Sequence, residues 1–327
     1  MTKTKWSVRG LTPNGVSAMA VAVALAFGSA AALAAAPMAK TPAPGFFRLM
    51  VGDFEVTAIS DGTVELPVAK LLKQDSAVTD RELAAHFLKS PLESSVNTYL
   101  INTGSKLILV DTGAGALFGP TLGKLLANLK AAGYTPEQVD EIYITHMHPD
   151  HVGGLVLNGA PAFPNALVRA DRPDADYWLS PANMEAAPAA AKGYFQGAMG
   201  SVNPYVTAGH YRSFDGATEL APGIHSVPTK GHTAGHTSYV IESHGQKLVL
   251  MGDLVHVAAV QFDHPEVGIG FDSEGKVAIA ERLKDFAAFA KDGTLVAGAH
   301  LPFPGIGHIV TRGKAYEWLP VNYTQMH

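Results

Sequence analysis

Four apolar, strand-like segments of this chain each run into a histidine or an aspartate. EIYIT leads to His146, His148, Asp150 and His151, and HSVPTK leads to His232, with His236 four residues on. KLVLMG leads to Asp253, and TLVAGA leads to His300. Sites in layered α/β proteins form beyond the carboxyl ends of strands. Groups delivered from four such ends can meet in one place, and this constrains the topology more than any other feature of the chain.

The first of these ends is the most specific. THMHPDHVGG, residues 145–154, carries the pattern H-x-H-x-D-H. On extended chain, residues i and i+2 point the same way, so His146 and His148 can grip one ion. Asp150 and His151 are adjacent and diverge, which suits them to a second ion. Gly153 and Gly154 are expected to let the backbone turn tightly beyond them. Asp253 has two carboxylate oxygens and can bridge. The resulting division gives His146, His148 and His232 to one ion, and Asp150, His151 and His300 to the other. Of the pair His232 and His236, one is the ligand and the other supports it. Three ligands per ion plus a bridge leave room for a shared water, whose pKa two cations bring near neutral. Asp111, in LVDTG, reads equally as a loop former or as a partner standing behind a ligand.

Composition narrows the chemistry. The 327 residues include no cysteine, so thiolate ligands, cysteine nucleophiles and disulfides are excluded. The metal ligands must be imidazole and carboxylate. Residues 1–36 read as an export signal: Lys3, Lys5 and Arg9 precede an alanine-rich apolar run, with small residues at Ala34 and Ala36. Removing it takes the 24 Lys and Arg to 21, against 29 Asp and Glu. That balance argues against nucleic acid as a partner. The expected location is secreted or periplasmic, with no membrane association after cleavage. Residues 37–327 are expected to form the functional domain, and a homodimer is an allowed assembly.

Element by element, FEVTAISDGTVELP reads as strands around an Asp61–Gly62 turn. VNTYLINTGSKLILVDTG reads as a hairpin turning at Asn102–Ser105. PTLGKLLANLKAAG predicts a helix from Pro120 to Gly133. TSYVIESHGQKLVLMGD is a second hairpin, turning at His244–Gly245. GKVAIAERLKDFAAFAKDG predicts an amphipathic helix with Val277, Ala280, Leu283, Phe286 and Ala290 inward. Residues 180–201, rich in Ala and Gly, read as helices and loops forming a lid.

THMHPDH, GHTAGH, MGD and the late GAH, in that order, resemble the metallo-β-lactamase superfamily over nearly the whole mature chain. The resemblance implies an α/β fold, the four-layer αββα sandwich. It implies two divalent ions, zinc first, and His232 rather than His236 as the ligand. It also implies Asp253 as the bridge, a residue that true β-lactamases usually lack. VGDFE, ITHMHPDHVGGL, GDLVHVAAVQFD, LPFPGIGH and the closing LPVNY are similar to the secreted methyl parathion hydrolase group and its lactonase relatives. That group implies aromatic pocket residues at Phe118, Trp178 and Tyr194. Here His256, Ile269, Phe271 and Leu71 depart from its organophosphate-specialised pattern. The departures favour a small ester or lactone of the dihydrocoumarin type over a phosphotriester.

The function expected is therefore a two-zinc lactonase or arylesterase, with Asp253 or Asp150 moving the proton. The alternative is a phosphotriesterase using the same machinery. A glutathione thioesterase would favour a basic groove that the sequence does not show. A metal-binding protein without catalysis belongs to a different class, distinguished by metal uptake without turnover.

Overall fold

The computed structural model describes Ala36 and residues 38–323. The expected export signal lies outside the described residues, Ala36 apart. Residues from Ala43 onward form one compact unit. Among the described residues no helix is long and apolar enough to cross a membrane.

Two seven-stranded sheets pack face to face. The first holds β1 (Phe46–Val51), β2 (Phe54–Leu66), β3 (Leu92–Asn102), β4 (Leu107–Val110), β5 (Glu141–Tyr143), β6 (Leu167–Asp171) and β7 (Tyr211–Phe214), in that spatial order. It is antiparallel through β4 and parallel from β4 to β7. The second holds β8 (Glu219–Ala221), β9 (Ile224–Pro228), β10 (Thr237–Ser243), β11 (Gln246–Leu250), β12 (Leu295–Ala297), β13 (Ile306–Arg312) and β14 (Ala315–Pro320). Only β11 and β12 run parallel there.

The alternation of side chains on each strand builds the layers. Ile108 and Val110 of β4 face the second sheet, against Tyr239, Leu248 and Leu250. Leu107 and Leu109 of the same strand face outward, against Leu125, Leu129, Phe195 and Val202 on the covering helices. On the far side, Val240, Val249 and Val296 pack against Phe286 of the helix Gly275–Asp292. Helix, sheet, sheet, helix is the αββα sandwich. Both hairpins turn where the sequence places them, the second through His244 and Gly245 at φ 49° and 75°.

Three local expectations are corrected. Asp61–Gly62 is not a turn: β2 runs straight through, with a register shift between Ser60 and Gly62. The Asp61 carboxylate instead accepts hydrogen bonds from the backbone N–H groups of Ala114, Gly123 and Leu125, at 2.9–3.1 Å. Burial raises its pKa, against those bonds. The helix expected from Pro120 is shorter, Leu125–Ala131, because Gly119 and Gly123 adopt φ of 90° and 74° and only then does helical backbone begin. The helix Gly275–Asp292 buries Ala278, Arg282 and Phe286, not Val277 and Leu283. Arg282 turns inward because carbonyls await it: Leu254, Pro265 and Val267 accept from its guanidinium.

This inward face gives a stability prediction. Phe286 is fully buried and stacks on Phe262 at 5.1 Å, so Phe286→Ala should cost about 3–5 kcal/mol. Val277→Ala and Leu283→Ala, at 42% and 39% exposed positions, should each cost below about 1 kcal/mol. Urea unfolding of the three variants checks the ranking; equal losses would restore the face predicted from periodicity.

Candidate metal centre

Each ligand candidate leaves its strand at the same edge of the sandwich. Past β5 the chain carries His146 and His148, and the short helix Pro149–Val152 presents Asp150 and His151. The loop after β9 carries His232, the turn after β11 carries Asp253, and the loop after β12 carries His300. His146, His148, His232 and Asp253 form one cluster, and Asp150, His151 and His300 form a second. A third set, Asp253, His256 and His300, overlaps both.

Asp253 is the centre of the arrangement. Its Oδ1 lies 3.2 Å from His151 Nε2. Its Oδ2 lies 3.3 Å from His232 Nε2, 3.6 Å from His146 Nε2 and 3.2 Å from His300 Nε2. His232 Nε2 is 3.0 Å from His148 Nδ1. Ligand atoms about 2.0–2.1 Å from a tetrahedral ion stand roughly 3.3 Å apart, so these spacings fit a shared cation. His146 Nε2, His151 Nε2 and Asp253 Oδ1 are buried with no hydrogen-bond partner, as donors awaiting an ion would be.

The outer nitrogens are engaged, which aims the inner ones. His151 Nδ1 pairs with Asp111 Oδ2 at 2.8 Å, and His300 Nδ1 donates to the Ser95 carbonyl at 2.9 Å. Asp111 also accepts from Thr145 N and Oγ1, both at 2.8 Å, so it shapes the loop and holds a ligand at once. His236 has both nitrogens occupied: Nδ1 donates to Thr229 O at 2.9 Å, and Nε2 accepts from Asp253 N, also at 2.9 Å. It positions Asp253 and has no lone pair left for an ion. Gly153 and Gly154 do not turn the chain through left-handed backbone. A Cβ there would lie 2.1 Å from Ala114 O and 1.9 Å from Thr112 O, so they let two loops touch.

Electrostatics fit the same reading. Burial, aided by neighbouring imidazoles, holds His146, His148 and His232 well below the usual histidine range, in the neutral form that ligates metal. Burial works against protonation of His151 and His300 too, but the surrounding carboxylates together outweigh it: Asp253, Asp111 and Asp150 around His151, Asp253 and Asp150 around His300. His151 is pushed well up, and His300 reaches about 9. Burial likewise opposes the charge on Asp253, but the histidines hold its pKa well below the carboxylate range. The carboxylates therefore call for positive charge at this point, and imidazole and carboxylate donors without thiolate suit divalent ions such as zinc.

A cavity of about 240 Å³ opens onto the cluster. Leu71, Phe118, Tyr194, His256 and Phe271 line it, with His148, Asp150, Asp253 and His300 as its floor. Two of the expected pocket residues stand elsewhere. Trp178 is 6% exposed and sits behind His148, ring to ring at 5.2 Å, in the core beneath the helices. Ile269 is buried behind the wall, paired with Leu72. Both are pulled inward by apolar neighbours. A larger cleft of about 680 Å³ lies beyond Phe118 and Tyr194, along the helix Lys192–Thr207, but contains none of the ligand candidates. The region expected as a lid forms this helical flank.

Sequence reasoning missed several supports. His256 stands 3.1 Å from Asp253 Oδ2 with both ring nitrogens unpartnered, so it belongs to the cluster as well as to the wall. Asp174 accepts from Met147 N at 2.8 Å and Gly235 N at 2.7 Å, tying the first two ligand loops together. Burial raises Asp174 to about 6. Gln261 accepts from the N–H groups of His256 and Val257 and donates to Val267 O. Asp174 lies in no motif, and His256 and Gln261 fall within GDLVHVAAVQFD, where nothing marks them as supports of the cluster. The only signal for His256 and Gln261 was a polar residue inside an otherwise apolar stretch, and for Asp174, among other charged residues, there was none.

Comparison with known proteins agrees with this geometry. The sequence model of the metallo-beta-lactamase superfamily matches residues 92–300. An N-acyl homoserine lactonase of Bacillus cereus is 28% identical over 274 residues, spanning 78% of this chain and 96% of that protein. The crystal structure of AbOPH, described as a hydrolase in the beta lactamase superfamily, is 37% identical with a TM-score of 0.83, covering 87% of this chain and 100% of its own. AidC, a dizinc quorum-quenching lactonase solved with an N-acyl homoserine product, is 26% identical with a TM-score of 0.80, covering 86% and 99%.

Metal removal tests the ligand set. Wild-type protein should take up two divalent ions, and a chelator should remove them with loss of activity. His232→Ala should lose tight binding of one ion, whereas His236→Ala should weaken it by roughly tenfold, as changes behind a ligand do. Elemental analysis after dialysis reads this directly; the reverse ranking would make His236 the ligand.

Proposed function

We propose that this chain, which belongs to the metallo-beta-lactamase superfamily, is a metal-dependent hydrolase that opens lactones, aryl lactones of the dihydrocoumarin type foremost. One observation carries the reading: the paired clusters around Asp253 floor a cavity of about 240 Å³ with apolar walls. Val64, Leu66, Pro67, Leu71, Phe118 and Phe271 make those walls, and among the described residues no Lys or Arg lines them. A neutral, flat, partly aromatic substrate suits such a slot. The lactonases among the relatives support an ester carbonyl as the group attacked.

His146, His148 and His232 would hold one ion, Asp150, His151 and His300 the other, with Asp253 between them; zinc is the metal proposed. When bound, such a pair supplies a hydroxide nucleophile near neutral pH and Lewis acidity toward the carbonyl oxygen. The chain does the rest. Asp253, fixed by His236 through its own N–H, holds the two halves of the site in register. Asp150 has 21% of its side chain open to the cavity and stands 3.5 Å from His300, placed to take up the proton released on attack. Phe118, Tyr194 and Phe271 orient the ring of the substrate and exclude water, which strengthens every charge interaction in the site. The basic, alanine-rich start supports a secreted or periplasmic location.

Shape separates this reading from phosphotriester hydrolysis. A triester carries three substituents about a tetrahedral centre and needs width, whereas the His256 and Phe271 rings close one side at 5.9 Å from each other. Purified zinc-loaded protein should show its highest kcat/KM on dihydrocoumarin, in a panel with γ- and δ-lactones, N-acyl homoserine lactones, aryl acetates and paraoxon-like triesters. The double variant His256→Leu, Phe271→Leu should raise the triester-to-lactone ratio roughly ten- to thirtyfold, equivalent to about 1.4–2 kcal/mol of differential transition-state binding. Wild type already preferring the triesters would reject the lactonase reading in favour of a phosphotriesterase.

A further inference from the structure

The segment Gly268–Glu274 lies between the pocket and one of the ligand loops and is strapped to both. On the pocket side, Gly270 N donates to Leu71 O at 2.8 Å and Lys73 N to Gly268 O at 2.9 Å. On the ligand side, Ser273 N donates to His232 O at 2.9 Å and Glu274 N to Gly231 O at 2.8 Å. Phe271, in the middle, faces the cavity.

The next residue, Asp272, turns the other way. Its side chain is 1% exposed, and its Oδ1 accepts from His232 Nδ1 at 2.9 Å. Its Oδ2 lies 3.3 Å from Ile269 N. The bond to Nδ1 fixes the tautomer of His232, so the lone pair on Nε2 must point into the cluster. The carboxylate also makes that nitrogen more basic. A carboxylate behind a ligating imidazole raises the imidazole's affinity for metal in this way.

We infer that Asp272 is a positioning residue for the ion held by His146, His148 and His232, and that it links this ion's affinity to the pocket wall bearing Phe271. The link is short: Phe271 and Asp272 are adjacent, one facing substrate and one facing a ligand. The inference rests on His232 being a ligand, so its test carries a separate control for that assignment.

The experiment titrates metal-free wild type, Asp272→Asn, Asp272→Ala and His232→Ala with Zn²⁺ alone, in competition with a chromogenic chelator. A parallel titration with Co²⁺ reads the ligand-field bands. Asp272→Ala should lose roughly ten- to a hundredfold in affinity for one ion and keep the other near wild type. Asp272→Asn, whose side-chain oxygen can still accept from Nδ1, should recover part of that loss. The Co²⁺ spectrum should change for the weakened ion alone. A residue serving only the fold would lower both affinities together, or neither. If Asp272→Ala does not yield folded protein, the Asn variant decides: an affinity equal to wild type for both ions overturns the proposal. If His232→Ala also binds both ions normally, the ligand assignment itself has failed.

Discussion

Everything at this edge of the molecule is arranged around one buried carboxylate. Asp253 is 3% exposed, and its two oxygens stand within 3.6 Å of five imidazoles, those of His146, His151, His232, His256 and His300. Two unit charges about 4 Å apart interact by roughly 4 kcal/mol at an effective dielectric near 20. Uncompensated charge at such spacing would oppose folding on a scale comparable to the net stability of a domain. The arrangement is tolerable because imidazole can be neutral and because a divalent ion can take the place of protons. Metal binding and the compact state are then linked, since a preformed site does not exist in the unfolded chain.

That linkage explains why the sandwich is built as it is. The strands that deliver the ligand candidates, β5, β9, β11 and β12, are buried by the inter-sheet core or its two flanking cores. A loop anchored on a buried strand starts from a fixed point and direction. The remaining freedom is removed by carboxylates with no access to substrate. Asp111 serves His151, Asp174 joins Met147 to Gly235, and Asp61 locks the 113–125 loop. Each accepts backbone N–H groups that would otherwise be buried without partners.

These carboxylates also mark where the sequence stops being readable. The layered fold was legible because alternation along VNTYLINTG and KLVLM can be satisfied only by two faces, each buried differently. The ligand candidates were legible because histidines at i and i+2 after a strand make no sense as core. Long-range partners were not, because nothing local distinguishes Asp272, 40 residues from His232, from any loop aspartate. The same blindness misplaced the inward face of the last long helix. Periodicity treats arginine as a surface residue, and only the three carbonyls gathered by Arg282 show why it is buried. Asp61–Gly62 misled for a related reason. A turn dipeptide and a bulge with a distant hydrogen-bond partner look alike in one dimension.

The two sides of the cavity are held in unlike ways, and this bears on where selectivity arises. On one side, His256, Val257 and Val267 are bonded by Gln261, while Leu254, Pro265 and Val267 are bonded by Arg282. Both bracing side chains are buried, so opening this wall would leave several polar groups unpaired at about 1–3 kcal/mol each. On the other side, Leu117 and Phe118 are 46% and 40% exposed, on a loop bounded by Gly115 and Gly119 at positive φ. Side chains in that loop can shift to admit a longer or bulkier substituent without breaking buried hydrogen bonds. On the proposed reading, discrimination by the shape of the reacting centre would fall to the braced side, where Gln261 holds the backbone of His256. Tolerance for the remainder of the substrate would, on the same reading, fall to the side of Phe118.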